Sequence, residues 1–241
     1  MENSLFVALS RQKALNSQMD VMANNIANMS TPGYQGEKVV FREFLQEPDN
    51  NQRDVHQVLD FGTYRNVQAG SMQTTGNPFD FALQGPGYFR IETAEGIQYT
   101  RGGSFIVNNE GILVNSRGDA VLDNGNAPIQ VPEDAGLVRV TGDGSMAGEN
   151  GVFAQIGVAA FNAPQFMTKS EQGYLQADNQ NPLPADDTSV VQGMLERSNV
   201  DPIAETAGMI DVLRSYQSVQ QTVEGEHQRQ LTMIRELSGQ S

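Results

Sequence analysis

Between residues 3 and 29 a stripe runs through Leu5, Ala8, Gln12, Leu15, Met19, Met22, Ile26 and Met29 at alternating steps of three and four, and only Gln12 breaks its apolar character. That spacing is the a/d seam of a heptad, so the segment is expected to be a helix with one face that needs covering. Ser30, Thr31, Pro32 and Gly33 end it, because proline lacks the amide hydrogen and restrains the residue before it, while glycine relaxes the turn. The far end repeats the arrangement in reverse order. Asn199, Asp201 and Pro202 are start signals for a second helix, along which Met209, Leu213, Tyr216, Val223, Ile234 and Leu237 share a face. Gln220, His227 and Gln230 weaken that face. At 1.5 Å per residue the two stripes span ~37 and ~42 Å. They could pair with each other as an intramolecular hairpin, but a lone pair leaves flanks of both stripes uncovered, whereas packing against further copies covers them.

Between the helices the grammar changes. Glycines separate short alternating runs at 79–83, 88–91, 97–100, 104–107 and 111–114, followed by runs at 128–131, 137–140 and 152–161. This is the pattern of antiparallel strands joined by tight turns, as in a barrel or sandwich. The expected fold class is therefore mainly β with α-helical termini, an antiparallel β domain inserted between two coiled-coil-like helices. The expected segments are an assembly helix at 1–33, an extended connector at 34–75, the β domain at 76–170, a second extended connector at 171–198 and a second assembly helix at 199–241. The connectors are assigned on their Asn, Gln, Asp and Pro content and the absence of a steady period.

Composition removes several function classes. Fifteen Lys and Arg against 29 Asp and Glu give a net charge of −14, a surface that repels phosphates, so no nucleic-acid partner is expected. Cysteine is absent, which excludes disulfides, thiolate metal sites and a cysteine nucleophile. The apolar cluster Leu5–Leu9 is too short for a signal-peptide core, and no run reaches the ~18 residues of a membrane span. The loop Gln84-Gly85-Pro86-Gly87-Tyr88 precedes a strand where a phosphate cradle needs a helix. A calcium loop starting at Asp123 would have Gly125 and Ala127 at ligand positions. His56 and His227 stand in different regions with no acid and nucleophile at a recognisable spacing, and Asp186-Asp187 lies on a polar stretch where adjacent carboxylates point apart. No enzyme activity, cofactor or metal is expected.

The motifs carry a resemblance. Ala23-Asn24-Asn25-Ile26-Ala27-Asn28 followed by Ser30-Thr31-Pro32-Gly33-Tyr34 resembles the N-terminal signature of flagellar rod and hook proteins. Gln192-Gly193-Met194-Leu195-Glu196-Arg197-Ser198-Asn199-Val200-Asp201 resembles their C-terminal signature, and Gly87-Tyr88-Phe89 and Tyr99-Thr100-Arg101-Gly102-Gly103-Ser104-Phe105 are similar to their β core. Arg11 and Gly102 depart from the usual glycine and aspartate. Within the family, the single β domain and the opening Asn3–Ser10 are similar to proximal-rod members, with distal-rod members next. The resemblance implies a structural rod subunit exported by the flagellar type III apparatus, whose partners in a periplasmic rod are copies of itself and other rod proteins. On that reading the assembly interface is formed by Leu5, Leu15, Met19, Met22, Asn24, Asn25, Ile26, Asn28, Met209, Leu213, Tyr216, Val223, Ile234 and Leu237, the asparagine amides fixing register between subunits. The alternative is a periplasmic module that binds peptidoglycan or another carbohydrate.

Overall fold

The computed structural model describes the backbone of residues 2–46, 55–178 and 180–238, and side chains at 7–40, 62–178 and 180–236. It has two compact units. The first is built from the residues up to Ala27, Glu37–Arg65 and the residues from Asp201 on; the second from Asn28–Gly36 and Asn66–Val200.

In the first unit, α1 (Glu2–Ala27) and α2 (Pro202–Ser238) pack against each other, and α1 is flanked by β1 (Glu37–Gln46) and β2 (Val55–Arg65). The intramolecular hairpin is thus the arrangement the two stripes adopt. Helix α2 starts where the sequence signals it: the Asp201 carboxylate accepts the amides of Ile203 at 2.9 Å and Ala204 at 3.3 Å, and Pro202 follows at the first helical position. The segment 34–75 is not an extended connector. Strands β1 and β2 pair antiparallel from Glu37↔Arg65 to Gln46↔Val55, with a bulge between Val40 and Phe41. The sequence does carry this hairpin, as two runs rich in Val, Phe and Leu on either side of the polar stretch at 47–54; the polarity of that stretch masks the runs when the whole segment is averaged.

The second unit is the β domain. Strands β3 (Met72–Thr74), β4 (Phe81–Gln84), β5 (Tyr88–Thr93), β6 (Gly96–Thr100), β7 (Phe105–Val107), β8 (Leu113–Asn115) and β9 (Ala120–Val121) fall largely on the expected runs. They are followed by β10 (Arg139–Val140), β11 (Ser145–Gly148), β12 (Gly151–Gln155) and β13 (Val158–Ala160). The run at 171–198, expected as a connector, supplies β15 (Leu175–Gln176), β16 (Leu183–Pro184), β17 (Ser189–Gln192) and β18 (Met194–Glu196), after β14 (Thr168–Lys169). The largest sheet follows the order β14-β15-β6-β5-β9-β8-β7, with β13 on β5 and β16 on β13. Strand β17 closes on β4 and β18 on β3, so the end of the domain is stitched to its beginning. The boundary expected at 170 fails because strands of two to four residues are too short to show a period of their own and exist only through these pairings.

Two clusters fill the unit. Phe81, Phe89 and Phe105 centre the larger, with Phe89 and Phe105 edge to face at 5.3 Å. Tyr88, Tyr99 and Phe161 centre the smaller. Burial and a 2.6 Å hydrogen bond to Asp119 push the Tyr174 hydroxyl up to about 12, so it stays protonated and acts as the donor that ties β15 to the turn at 115–119.

Candidate assembly interface

In the helical unit the seam of α1 is seated on α2. Gln12, the one polar seam residue, donates its Nε2 hydrogen to the Tyr216 hydroxyl at 2.9 Å, and Met22 lies against Gly208 so closely that a methyl group there would sit 2.5 Å from the Met22 Cε. These contacts run antiparallel. The covered face of α2 takes in Met209, Val212, Tyr216, Val219 and Val223, of which Val212 and Val219 are buried. The sequence reading passed over both valines and placed Leu213 on the seam; Leu213 is 45% exposed. Steps of three and four fit either register through Met209, Tyr216 and Val223. Only the packing against α1, close at Gly208, selects the register that buries Val212 and Val219.

Among the described residues, two apolar surfaces remain open on α2. Ile203, Ile210 and Leu213 are exposed along its first half. At its far end α2 outlasts α1: the Met22–Gly208 and Gln12–Tyr216 contacts bring Glu2 level with about residue 227, leaving ~16 Å of α2 beyond α1 at 1.5 Å per residue. Met233 and Ile234 lie on that overhang, Ile234 61% exposed. Leu15, Met19, Met22 and Ile26 are half-buried within the chain. The side chains of Leu5 and Leu237 fall outside the described residues.

The asparagines divide by role. Asn25 is 2% exposed and clamps the backbone of Glu37, accepting its amide at 2.9 Å and donating to its carbonyl at 2.8 Å. Its amide is therefore engaged inside its own chain, holding the start of β1 against α1. Asn25→Ala removes both hydrogen bonds to the Glu37 backbone and is expected to cost about 2 kcal/mol, measured by urea unfolding of the full chain. Asn24 is exposed, and Asn28 is half-buried, its side-chain oxygen accepting the Thr31 hydroxyl at 3.2 Å.

In the β unit the three sequence motifs meet. Arg101 and Glu196 form a buried ion pair, side chains 4% and 2% exposed, with Nε donating to Oε2 at 2.7 Å. The rest of the guanidinium donates to the carbonyls of Gly85, Gly87 and Leu83, and Glu196 Oε1 accepts the Gly70 amide at 3.0 Å. The turn Ser30–Tyr34 packs on this pair: the Gly33 amide donates to the Glu196 carbonyl at 2.8 Å, and Gly33 adopts φ +68° with its α-carbon close against the Arg101–Gly102 peptide. Asn199 completes the junction, accepting the Gly36 amide and donating to the carbonyls of Asn66 and Gln68, each at 2.8 Å. Of these residues, Arg101 and Glu196 stand in the motifs without a role that the sequence alone assigns, and Asn199, a helix-start signal in sequence, serves the junction instead. The available signal was a charged residue closing each of two short strand-like runs, Arg101 after Ile97–Thr100 and Glu196 after Met194-Leu195.

Comparison with known proteins follows the same three motifs. Residues 5–35 match the family model described as flagella basal body rod protein, 82–148 the flagellar hook protein FlgE/F/G D1 domain, and 191–236 the flagellar basal body rod FlgEFG protein C-terminal region. The chain is 37% identical over 223 residues to the flagellar basal-body rod protein FlgF of Caulobacter vibrioides, covering 91% of each. It is 36% identical over 220 residues to FlgF of Mesorhizobium japonicum, covering 90% of each. It is 31% identical to the rod protein FlgG of Bacillus subtilis over 245 residues, covering 90% of this chain and 92% of the relative.

Proposed function

This chain belongs to the flagellar basal-body rod protein family, and from that membership we propose that it is a proximal-rod subunit that polymerises through its terminal helices. It is a structural, non-enzymatic component of the bacterial basal-body rod. Its greater identity to FlgF than to FlgG supports the proximal position. The observation that carries the polymerisation reading is the open apolar surface of α2: the hairpin covers one face of each helix, and Ile203, Ile210, Leu213 and Ile234 remain for neighbours. Other copies and other rod proteins supply those neighbours. Delivery to the periplasm by the flagellar type III export apparatus completes the reading.

Ile26 is half-buried inside the chain, so a carboxylate there would burden folding before assembly. Leu213→Asp combined with Ile234→Asp is the cleaner test. At exposed positions each change should alter monomer stability by no more than about 0.5 kcal/mol, while a carboxylate closed inside a subunit interface costs several kcal/mol for every copy added. Cells carrying only the double variant are expected to secrete the subunit but lack completed rods in electron micrographs of basal bodies, whereas Ser218→Asp cells swim. Normal rods and swimming in the double variant would overturn polymerisation through α2.

A further inference from the structure

The β unit holds a cavity of about 510 Å³. Backbone bonds tie β5 and the arm at 182–190 to the stretch at 142–158 that frames it. Arg90 on β5 donates its amide to the Gly157 carbonyl at 3.1 Å, Ile156 donates to Gly144 at 2.9 Å, and Val190 donates to Gly142 at 2.9 Å. Strand β16 meets β13 at Ala159↔Pro184, which brings the arm at 182–190 over the same opening. The cavity is therefore preformed by sheet pairing rather than left between loose loops.

Its chemistry is mixed in a definite way. Ile156, Val158, Leu183, Pro184 and Val190 contribute an apolar floor. Arg90 contributes a cation, Asp143 and Asp186 contribute carboxylates, and Asn124 and Gln155 add amides. The Arg90 guanidinium is only partly satisfied: Nη1 donates to Asn126 at 3.0 Å, but its Nε hydrogen is buried without a partner, as is the Thr188 hydroxyl on the same wall. Hydrogen bonds from the Thr141 hydroxyl, the Ser145 hydroxyl and the Ser145 amide hold Asp143 down to about 2, so its charge is permanent at physiological pH. Among the described residues the lining has no aromatic ring on which a sugar face could stack.

We propose that this cavity binds a short peptide with free termini, its carboxylate at Arg90, its ammonium between Asp143 and Asp186, and small apolar side chains on the Ile156–Val190 floor. A zwitterion of that length answers both signs of charge in the cavity, and an extended backbone supplies acceptors and donors for Asn124 and Gln155. A sugar ring offers neutral hydroxyls to charges that would stay uncompensated.

Isothermal titration of the full chain with trialanine tests this, alongside N-acetyl-trialanine amide and tri-N-acetylglucosamine. Trialanine is expected to bind saturably, and the blocked peptide about tenfold or more weaker, as for loss of charge-assisted hydrogen bonds. Arg90→Gln and Asp186→Asn should each weaken trialanine by a similar factor. Asp186 is exposed at the rim, so its variant reports on binding even if Arg90→Gln disturbs β5. Absence of saturable trialanine binding, equal affinity for the blocked peptide, or indifference to Asp186→Asn would overturn the proposal. Binding of the glucosamine trimer in preference to trialanine would overturn it in favour of a carbohydrate site.

Discussion

Arg101→Met is expected to remove about 3–5 kcal/mol from the stability of the β unit and to lower its thermal midpoint by roughly 10 °C. The expectation follows from what each partner keeps when the other is gone. Without Arg101, the Glu196 carboxylate stays buried with the Gly70 amide at 3.0 Å as its remaining side-chain hydrogen bond, and the carbonyls of Leu83, Gly85 and Gly87 lose their shared donor. Without the Glu196 charge, Arg101 still has those three carbonyls. Glu196→Gln should therefore be the milder change, at about 1–3 kcal/mol. Replacing both residues by methionine removes the unpaired charge but strands the carbonyls, so the double variant should recover only part of the loss. Urea unfolding of the full chain, followed through tyrosine fluorescence and amide exchange in β4 and β5, measures all three. A cost below about 1 kcal/mol for Arg101→Met, or a larger cost for Glu196→Gln, would show that the junction does not rest on this pair.

Gly33→Ala should cost about 2–4 kcal/mol, from two sources that a control can separate. The backbone at φ +68° is the left-handed region, which charges an alanine about 1 kcal/mol. The added methyl would also sit 2.2 Å from the Arg101 carbonyl carbon and 2.3 Å from the Gly102 nitrogen, a backbone clash that no rotamer relieves. Gly76 has nearly the same φ, +75°, with nothing within 4 Å of the added methyl. Gly76→Ala should therefore show the conformational cost alone, about 1 kcal/mol. Equal costs at the two positions would mean that the Ser30–Tyr34 turn does not press on the Arg101–Gly102 peptide in solution. The close approach at Gly33 also bears on Gly102. A β-carbon at Gly102 would lie 3.2 Å from the Pro32 carbonyl, so this chain seats the turn closer than a side chain there would allow without a small shift.

The amino-acid sequence by itself determined the two terminal helices, the β character of the middle and the rod-family motifs. Each of these is written in local terms: a three-and-four period through Leu5–Met29, stop signals at Thr31-Pro32-Gly33, a cap at Asp201, and alternating runs from Phe79 to Phe161 punctuated by glycine. The tertiary structure alone decided which faces of the helices meet. Met209, Tyr216 and Val223 suit a seam through Leu213 or one through Val212 and Val219, and only the presence of α1, with Met22 against Gly208, selects the valines. It likewise decided that Asn25 serves Glu37 of its own chain, and that 171–198 belongs to the β unit, because strands as short as Leu183–Pro184 have no period and are stabilised by partners far away in sequence. The Arg101–Glu196 junction lies furthest from local reading. Ninety-five residues separate its partners, and a buried charge pair leaves no mark on periodicity, since its stability comes from the removal of water by a fold that must already be in place.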